Sequence, residues 1–377
     1  MRKRIVLIGP VYPYKGGISH YTGLLYRTLS KESEVILVSY KVQYPKILFK
    51  REQKDYSNQT FKIDDTQYLI NTANPINWII SAKKIKKLHP DLVIFQWWHP
   101  YFSPCYWTIC KMLKHIKIMF TCHNVFPHER FPADRFLTRR VLSKGDGFIV
   151  HSIQDEEDLH SIKKEAICTR TVHPTYNAFK INQLSKGKSR KILNIKDNEK
   201  VLLFFGFVRE YKGLKYLIEA IPTVIEKIPD IKLLVVGEFA GDKDKYLDIM
   251  QREKVEEYIQ IYDGYIPDQE VEKFFAASDI VVLPYISATQ SGIVQIAYGF
   301  EKPVVVTNVG GLPEVVKNGK TGYVVEAENS GAIAQAIIKF FESDNREAFE
   351  SAIQKEADRY SWDNMSKKIY ELMDKMK

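Results

Sequence analysis

The sequence predicts an α/β protein built as two doubly wound parallel-sheet domains in series. Three observations lead there: short apolar runs recur at strand length, segments with helical spacing separate them, and the whole alternation occurs twice. Strands covered by helices on both faces read as near-continuous apolar runs, and a strand–helix–strand succession builds a parallel sheet. A length of 377 residues suits two or three domains of about 150 residues.

In the first half the apolar runs are 5–9, 35–39, 92–97, 116–122 and 147–151, with helical patterns at 18–30 and 77–88. The run at 5–9 follows Arg2, Lys3 and Arg4 and is interrupted by Pro10 and Pro13, so it reads as a first strand rather than a secretory signal. Residues 175–198 lose periodicity and collect Asn177, Asn182, Ser185, Lys186, Gly187, Lys188 and Ser189, the composition of a linker or domain edge. A second series of runs follows at 201–206, 232–236, 259–262, 280–284 and 303–307. Its helical patterns lie at 213–227, 245–255, 269–277, 291–300, 330–342 and 346–358. The expected domains are 1–185 and 186–360, with a terminal helix over 361–377.

Composition narrows the function classes. The chain is 45% hydrophobic and 27% charged, enough to bury large cores and too apolar for disorder. Lys and Arg number 55 against 46 Asp and Glu, a net charge of +9 that favours phosphates, polyanions or an anionic membrane as partners. Cys105, Cys110, Cys122 and Cys168 form no C-x-x-C pair, which argues against a disulfide framework or zinc ribbon and suits a reducing compartment. The His residues show no ligand spacing, so no metal site is expected. No apolar run reaches the roughly 18 residues of a membrane span. A cytoplasmic protein is expected.

In open α/β sheets, ligands sit beyond the carboxyl ends of the strands, and four stretches there could carry chemistry. The first strand leads into Gly16-Gly17 before a helix. Such a pair lets backbone N–H groups approach a phosphate or sugar hydroxyl, or simply makes a tight turn. Gly206-Phe207-Val208-Arg209-Glu210-Tyr211-Lys212-Gly213 combines two glycines with cations that can hold a diphosphate; the plainer alternative is a solvated turn. Gln290-Ser291-Gly292 opens a helix, as an anion site or an ordinary cap. His123 follows a buried strand, where it can hydrogen-bond or handle protons, and His128-Glu129 nearby are a pair or a helix start.

Weaker signals fall to blander readings. Asp242-Lys243-Asp244 sits among lysines and reads as a solvated face, and the aromatics from Gln96 to Phe102 read foremost as core. Basic clusters at Lys46, Lys50, Arg51 and Lys54, at Lys83, Lys84, Lys86 and Lys87, and at Lys111, Lys114 and Lys117 suit an anionic membrane surface. Nucleic acid competes, but no binding motif for it is present.

Together these blocks resemble the family-four glycosyltransferases of GT-B fold over essentially the whole chain. Gly206 to Gly213 is similar to that family's strand-to-helix turn. Ala277-Ser278-Asp279-Ile280-Val281-Val282-Leu283-Pro284-Tyr285 and the stretch from Lys302 to Val316 (KPVVVTNVGGLPEVV) are similar to its next two blocks, and residues 319–325 to the one after. Two departures stand out. Ala288 and Ile296 occupy the positions of the family's usual glutamate pair, with Gln290 and Gln295 the nearest polar residues, and Phe207 replaces the usual Arg, which returns as Arg209.

The resemblance implies two Rossmann-like domains facing a central cleft, with the helix from Ser361-Trp362 crossing back onto the first. It implies sugar transfer from a nucleotide-diphosphate-sugar to a saccharide or lipid-linked saccharide with retention, in cell-surface polysaccharide synthesis, with no metal or other cofactor. Arg209 and Lys212 would neutralise the leaving diphosphate, helped by Gly206 and the N–H groups of Ser291 and Gly292. Tyr265 and Ile266 would flank the base, and Gln290 and Gln295 would contact the donor. His123 and the Gly16-Gly17 turn would face sugar and acceptor, with His128 and Glu129 on the acceptor side. Two alternatives remain open: a nucleotide-sugar 2-epimerase, and a binding protein without turnover.

Overall fold

The computed structural model describes residues 2–57, 59–127, 130–343 and 345–376. It divides into two compact units, Met1–Val172 with Ser361–Lys377, and His173–Tyr360.

The first unit runs β1 (Arg4–Ile8), α1 (Gly17–Leu29), β2 (Glu34–Val42), β3 (Gln67–Asn71), α2 (Pro75–Lys87), β4 (Leu92–Trp97) and α3 (Ser103–Met112). It continues with β5 (Lys117–Cys122), α4 (Asp134–Leu142), β6 (Gly147–Val150), α5 (Ile153–Ile162) and β7 (Cys168–Arg170). Its seven strands lie in the order β3-β2-β1-β4-β5-β6-β7, all parallel. The apolar run of β1 feeds two cores at once: Val6 and Ile8 point into one cluster, Ile5 and Leu7 into the other. That alternation explains why the strand must be apolar throughout.

The second unit runs α6 (Lys186–Ile192), β8 (Lys200–Phe205), α7 (Leu214–Lys227), β9 (Ile231–Gly237), α8 (Lys243–Glu253), β10 (Ile259–Asp263), α9 (Asp268–Ala277) and β11 (Ile280–Leu283). Then come α10 (Gly292–Gly299), β12 (Val304–Thr307), α11 (Leu312–Val315), β13 (Gly322–Val325), α12 (Ser330–Glu342) and α13 (Arg346–Lys355). Six parallel strands lie in the order β10-β9-β8-β11-β12-β13. The last helix, α14 (Trp362–Lys375), belongs to the first unit, where Met365, Ile369, Leu372 and Met373 pack against Ile5, Leu7 and Ile149.

The central strands fall where the apolar runs do. The edge strands β3, β7 and β13 and the helices α3, α4 and α5 were not among the segments the pattern marks. The stretch 175–198 is not a linker: its polar residues include α6, whose Arg190 is buried and paired with Asp279 at 2.9 Å. Lys186 and Arg346 also reach Asp279. Burial alone would raise the Asp279 pKa, but Lys186, the Val201 N–H and Arg346 outweigh it and hold the carboxylate below its usual range. The unit boundary accordingly falls at residue 173 and not near 185. The intervening backbone is tied into the second unit, with the N–H groups of Asn182 and Leu184 donating to the Glu272 carboxylate.

In each sheet the strand order reverses beside the first strand of the unit, between β1 and β4 and between β8 and β11. A crevice at such a reversal is where an open α/β sheet binds its ligand.

Candidate active site

In the first unit His123 follows β5, one strand beyond the reversal between β1 and β4, and is buried. Its loop is fastened from three sides. The His123 N–H donates to the Trp97 carbonyl at 2.8 Å, Trp97 Nε1–H to the Val125 carbonyl at 3.2 Å, and the Val125 N–H to Asp155 Oδ1 at 2.9 Å. Asp155 is itself held by Ser152, which caps α5. The imidazole Nε2 lies 2.8 Å from Gln96 Oε1, a hydrogen bond between the two side chains. Tyr21 of α1 meets the ring edge-on at 4.6 Å and packs against Trp362 of α14 at 5.0 Å.

A second imidazole, His151 at the end of β6, lies 6.0 Å from His123. Its Nδ1–H donates to the Thr171 carbonyl at 2.9 Å. Burial pushes its pKa down to about 4, against a smaller opposing effect of that carbonyl, so it is neutral at physiological pH. Tyr21 and His151 were not singled out by sequence, and Gln96 and Trp362 were named only as the head of an aromatic stretch and the start of the last helix. They come from four different elements, and only the fold assembles them. Gly16 and Gly17 open α1 in this same unit; Gly16 has φ +105°, and a Cβ on either residue would meet no described atom within 4 Å. His128 and Glu129 lie outside the described residues.

At the reversal point of the second unit, β8 ends in the turn Gly206–Gly213 and β11 in the loop Pro284–Ser291. The two are locked together. The Ile286 N–H donates to the Tyr211 carbonyl at 2.8 Å, and a Cβ on Gly213 (φ +67°) would lie 1.8 Å from the Pro284 carbonyl oxygen. Gly310 (φ +49°) clasps the loop from the other side, where a Cβ would lie 1.5 Å from the Ala288 carbonyl oxygen. Both glycines are therefore required by close backbone approach as well as by φ.

This clamp positions Lys212. Its ammonium donates to the Tyr285 hydroxyl at 2.5 Å and sits 4.0 Å from the centre of the Tyr285 ring. The Tyr285 hydroxyl in turn lies 3.3 Å from Ser291 Oγ, which caps α10 by accepting from the Ile293 N–H. Burial of the ammonium lowers its pKa to about 8. A cation half-withdrawn from water beside a helix N-terminus is arranged to receive an anion.

Arg209 is exposed, its guanidinium 5.1 Å from the centre of the Phe207 ring, so Phe207 carries the cation that sits two residues on. Gly206 (φ +114°) lies beside Ile293, the second residue of α10. Gln295 is buried on α10, and its Oε1 has no hydrogen-bond partner among the described residues; Gln290 is half-buried. Ala288 and Ile296, where acids were sought, are buried apolar residues. Tyr265 and Ile266 lie on the loop between β10 and α9, Tyr265 exposed. The second unit thus joins Lys212, Ser291, Gly292 and Gly206 around one turn and one helix start, while Tyr265 and Ile266 stand on a separate loop. Among the described residues, no cluster of three His, Cys, Asp or Glu side chains is close enough to hold a metal ion. Nor is any described helix long and apolar enough to cross a membrane.

Comparison with known proteins extends over nearly all of this framework. Residues 15–176 match the model of the Glycosyltransferase Family 4 domain and residues 185–357 that of Glycosyl transferases group 1. An uncharacterized glycosyltransferase of Methanocaldococcus jannaschii is 29% identical over 180 residues, 47% of this chain and 45% of that protein. A D-inositol 3-phosphate glycosyltransferase of Corynebacterium urealyticum is 28% identical over 257 residues, 65% of this chain and 60% of its own length. The chain therefore spans about half to three-fifths of these relatives. Among solved structures, sucrose-phosphate synthase of Thermosynechococcus elongatus superposes with a TM-score of 0.76 at 17% identity, covering 99% of each chain. Anabaena HepE in complex with UDP-glucose does so with 0.74 at 17% identity, again covering 99% of each. This likeness in fold is to the GT-B architecture, and the two domain matches fall in the family's order along one chain. The chain belongs to the family-four glycosyltransferases.

Proposed function

We propose that this chain transfers a sugar from a nucleotide-diphosphate-sugar to a saccharide acceptor carried on a lipid, with retention of anomeric configuration. The setting we propose is cell-surface polysaccharide synthesis at the cytoplasmic face of the membrane. The observation that carries the reading is Lys212, whose partly desolvated ammonium is bonded to Tyr285 beside the start of α10. There it would meet the diphosphate of the donor. As the bond between anomeric carbon and diphosphate breaks, negative charge grows on the departing oxygen. Lys212, Arg209 and the N–H groups of Ser291 and Gly292 would neutralise it, an effect on the order of 100-fold in rate for each well-placed group. The acceptor hydroxyl bonds to the anomeric carbon, and its proton leaves with the nucleoside diphosphate.

Tyr265 and Ile266 would flank the base. Gln295, with an open carbonyl oxygen, and Gln290 would accept from donor hydroxyls in place of carboxylates. His123 and the Gly16-Gly17 turn would face sugar and acceptor.

The buried Ala288 and Ile296 favour a second reading, binding without turnover. A thermal-shift series with UDP, GDP, ADP and their sugar conjugates tests the donor assignment, since a ligand of the native state raises the melting temperature. A shift with one nucleotide family followed by acceptor-dependent release of the nucleoside diphosphate supports transfer. A shift without release supports the binding protein, and donor conversion without acceptor supports a 2-epimerase. A folded protein that responds to none overturns the donor site.

A further inference from the structure

We infer that the second unit holds a phosphate-sized oxyanion at the amino edge of its sheet, among Lys302, Arg346 and Lys186. The site goes beyond the donor reading and does not rest on it. Lys212, Ser291 and Gly292 follow the carboxyl ends of β8 and β11, whereas Asp279 and Lys302 precede β11 and β12. The strands of this sheet are parallel, so the two sets of residues stand at opposite edges of it. Val281 of β11 pairs with Val304 of β12, and the Val281 N–H donates to the Pro303 carbonyl at 3.0 Å. Asp279 and Lys302 each come two residues before that pair, which makes them neighbours at the start of the two strands.

Two helices bring further cations to this edge, Lys186 and Arg190 from α6 and Arg346 from the first turn of α13. The Asp279 carboxylate is fully used by them. Its Oδ1 accepts from Lys186 and Arg346, and its Oδ2 from Arg190 and the Val201 N–H. Glu350 is taken by Arg346 at 3.0 Å. Lys302 is left over. It is 8% exposed, yet no described residue hydrogen-bonds or ion-pairs with its ammonium. A lysine is rarely buried to this degree without a partner, because an ammonium taken from water loses its hydration. Burial, and after it Arg346, push the Lys302 pKa down to about 8, with Asp279 pulling the other way.

The donors left over suit a tetrahedral anion. Arg190 is spent, since its guanidinium also donates to the Ala277 and Asp197 carbonyls at 3.2 and 2.7 Å. Arg346 uses Nε and one Nη for Glu350 and Asp279, which leaves the other Nη uncommitted among the described residues. The side chains of Lys186 and Arg346 are each 36% exposed, so the cluster opens to solvent. The first turn of α13 adds backbone N–H groups, because Asn345 before it makes no side-chain cap. Among the described residues, the cations Lys186, Arg190, Lys302 and Arg346 stand against two carboxylates, Asp279 and Glu350. A phosphate group, with close to two negative charges, matches that surplus, and its oxygens accept from several donors at once. A nucleic acid would need an extended basic surface, and Lys302 is too enclosed to form part of one. Inorganic phosphate and the phosphoryl group of a phosphomonoester share the chemistry required.

The test is calorimetric titration of the full chain with inorganic phosphate and with glycerol 3-phosphate, in chloride buffer of matched ionic strength. Binding of either supports the site; a preference for phosphate identifies the free ion, and a preference for glycerol 3-phosphate identifies a phosphomonoester. Lys302→Met keeps the length of the side chain and removes its charge, and should weaken the affinity about tenfold or more. Lys186→Gln, at a half-exposed position, should weaken it about threefold. The ligand-free melting temperature of Lys302→Met should be unchanged or higher, since the ammonium it removes has no partner. Lys212→Ala should leave phosphate binding at this edge intact while the nucleotide-induced thermal shift is lost, and Lys302→Met should do the reverse. No binding of either anion, or a Lys302→Met protein that melts lower and binds phosphate as before, overturns the proposal and leaves the donor reading standing. Phosphate binding that Lys212→Ala abolishes and Lys302→Met retains overturns it too. Absence of the nucleotide shift in the unsubstituted protein strikes the donor reading alone.

Discussion

The two units share a strand order around the reversal point and use it in opposite ways. In the first, His123 is buried, its ring nitrogen and its backbone each held by a named partner and its faces closed by Tyr21 and its neighbours. In the second, the groups suited to an anion stand on turns: Arg209 exposed on Phe207, Lys212 partly withdrawn under Tyr285. The first arrangement orients a neutral polar group by side chains drawn from distant elements. The second orients charge through backbone, with Gly213 and Gly310 holding a loop at distances no side chain permits. A buried imidazole needs partners because desolvating it unpaired is costly; a cation at a turn keeps water until a ligand replaces it.

Substitutions can sharpen that contrast. The largest effect is expected in the second unit, where Lys212→Ala should lower kcat about 100-fold or more with the melting temperature little changed. Near-normal turnover would dismiss the diphosphate assignment. The free ammonium loses its charge as pH rises through about 8. Nucleotide affinity measured by calorimetry should therefore weaken by up to about tenfold per pH unit above that point, and a flat profile would show that Lys212 does not meet the anion.

The first unit should respond to acid instead. His151 has a folded-state pKa near 4 against 6.5 when unfolded. The unfolded chain therefore binds the extra proton first, and stability present above pH 6.5 is lost as pH falls toward 4. The loss is about 3 kcal/mol, and His151→Phe should remove it from denaturant titrations across that range. Next in size, Gln96→Leu should cost about tenfold in kcat by removing the side-chain bond to the His123 ring; an unchanged kcat would deny His123 a part in transfer. Smallest is the glycine pair. Gly16→Ala should cost about 1 kcal/mol through its positive φ, whereas Gly17→Ala should leave the melting temperature unaltered and change turnover alone.

Legibility in the sequence followed burial. The central strands β1, β4, β5, β8, β11 and β12 are apolar almost throughout, since helices cover both their faces. The edge strand β3 is half-buried, with only Ile70 fully enclosed, and β7 has three residues, none of them buried, so neither leaves an apolar run. Helix α6 reads as solvent-exposed because its anchor is Arg190, a residue that burial tolerates only when paired, as it is with Asp279. In the candidate site, Lys212, Ser291 and Gly292 are legible because turn and helix cap are local signals. Tyr21 and His151 are not, because nothing in their own neighbourhoods marks them.

By itself, then, the sequence determined the two α/β series, the positions of their central strands and the local turns that carry Arg209 and Lys212, because apolar period, glycine and charge act over a few residues. Only the tertiary structure decided that Tyr21 and Gln96 meet His123 and that Trp362 packs on Tyr21. It also decided that Tyr285 withdraws Lys212 from water. Those are contacts between residues far apart in the chain, and their energies depend on packing and desolvation that no local stretch of sequence contains.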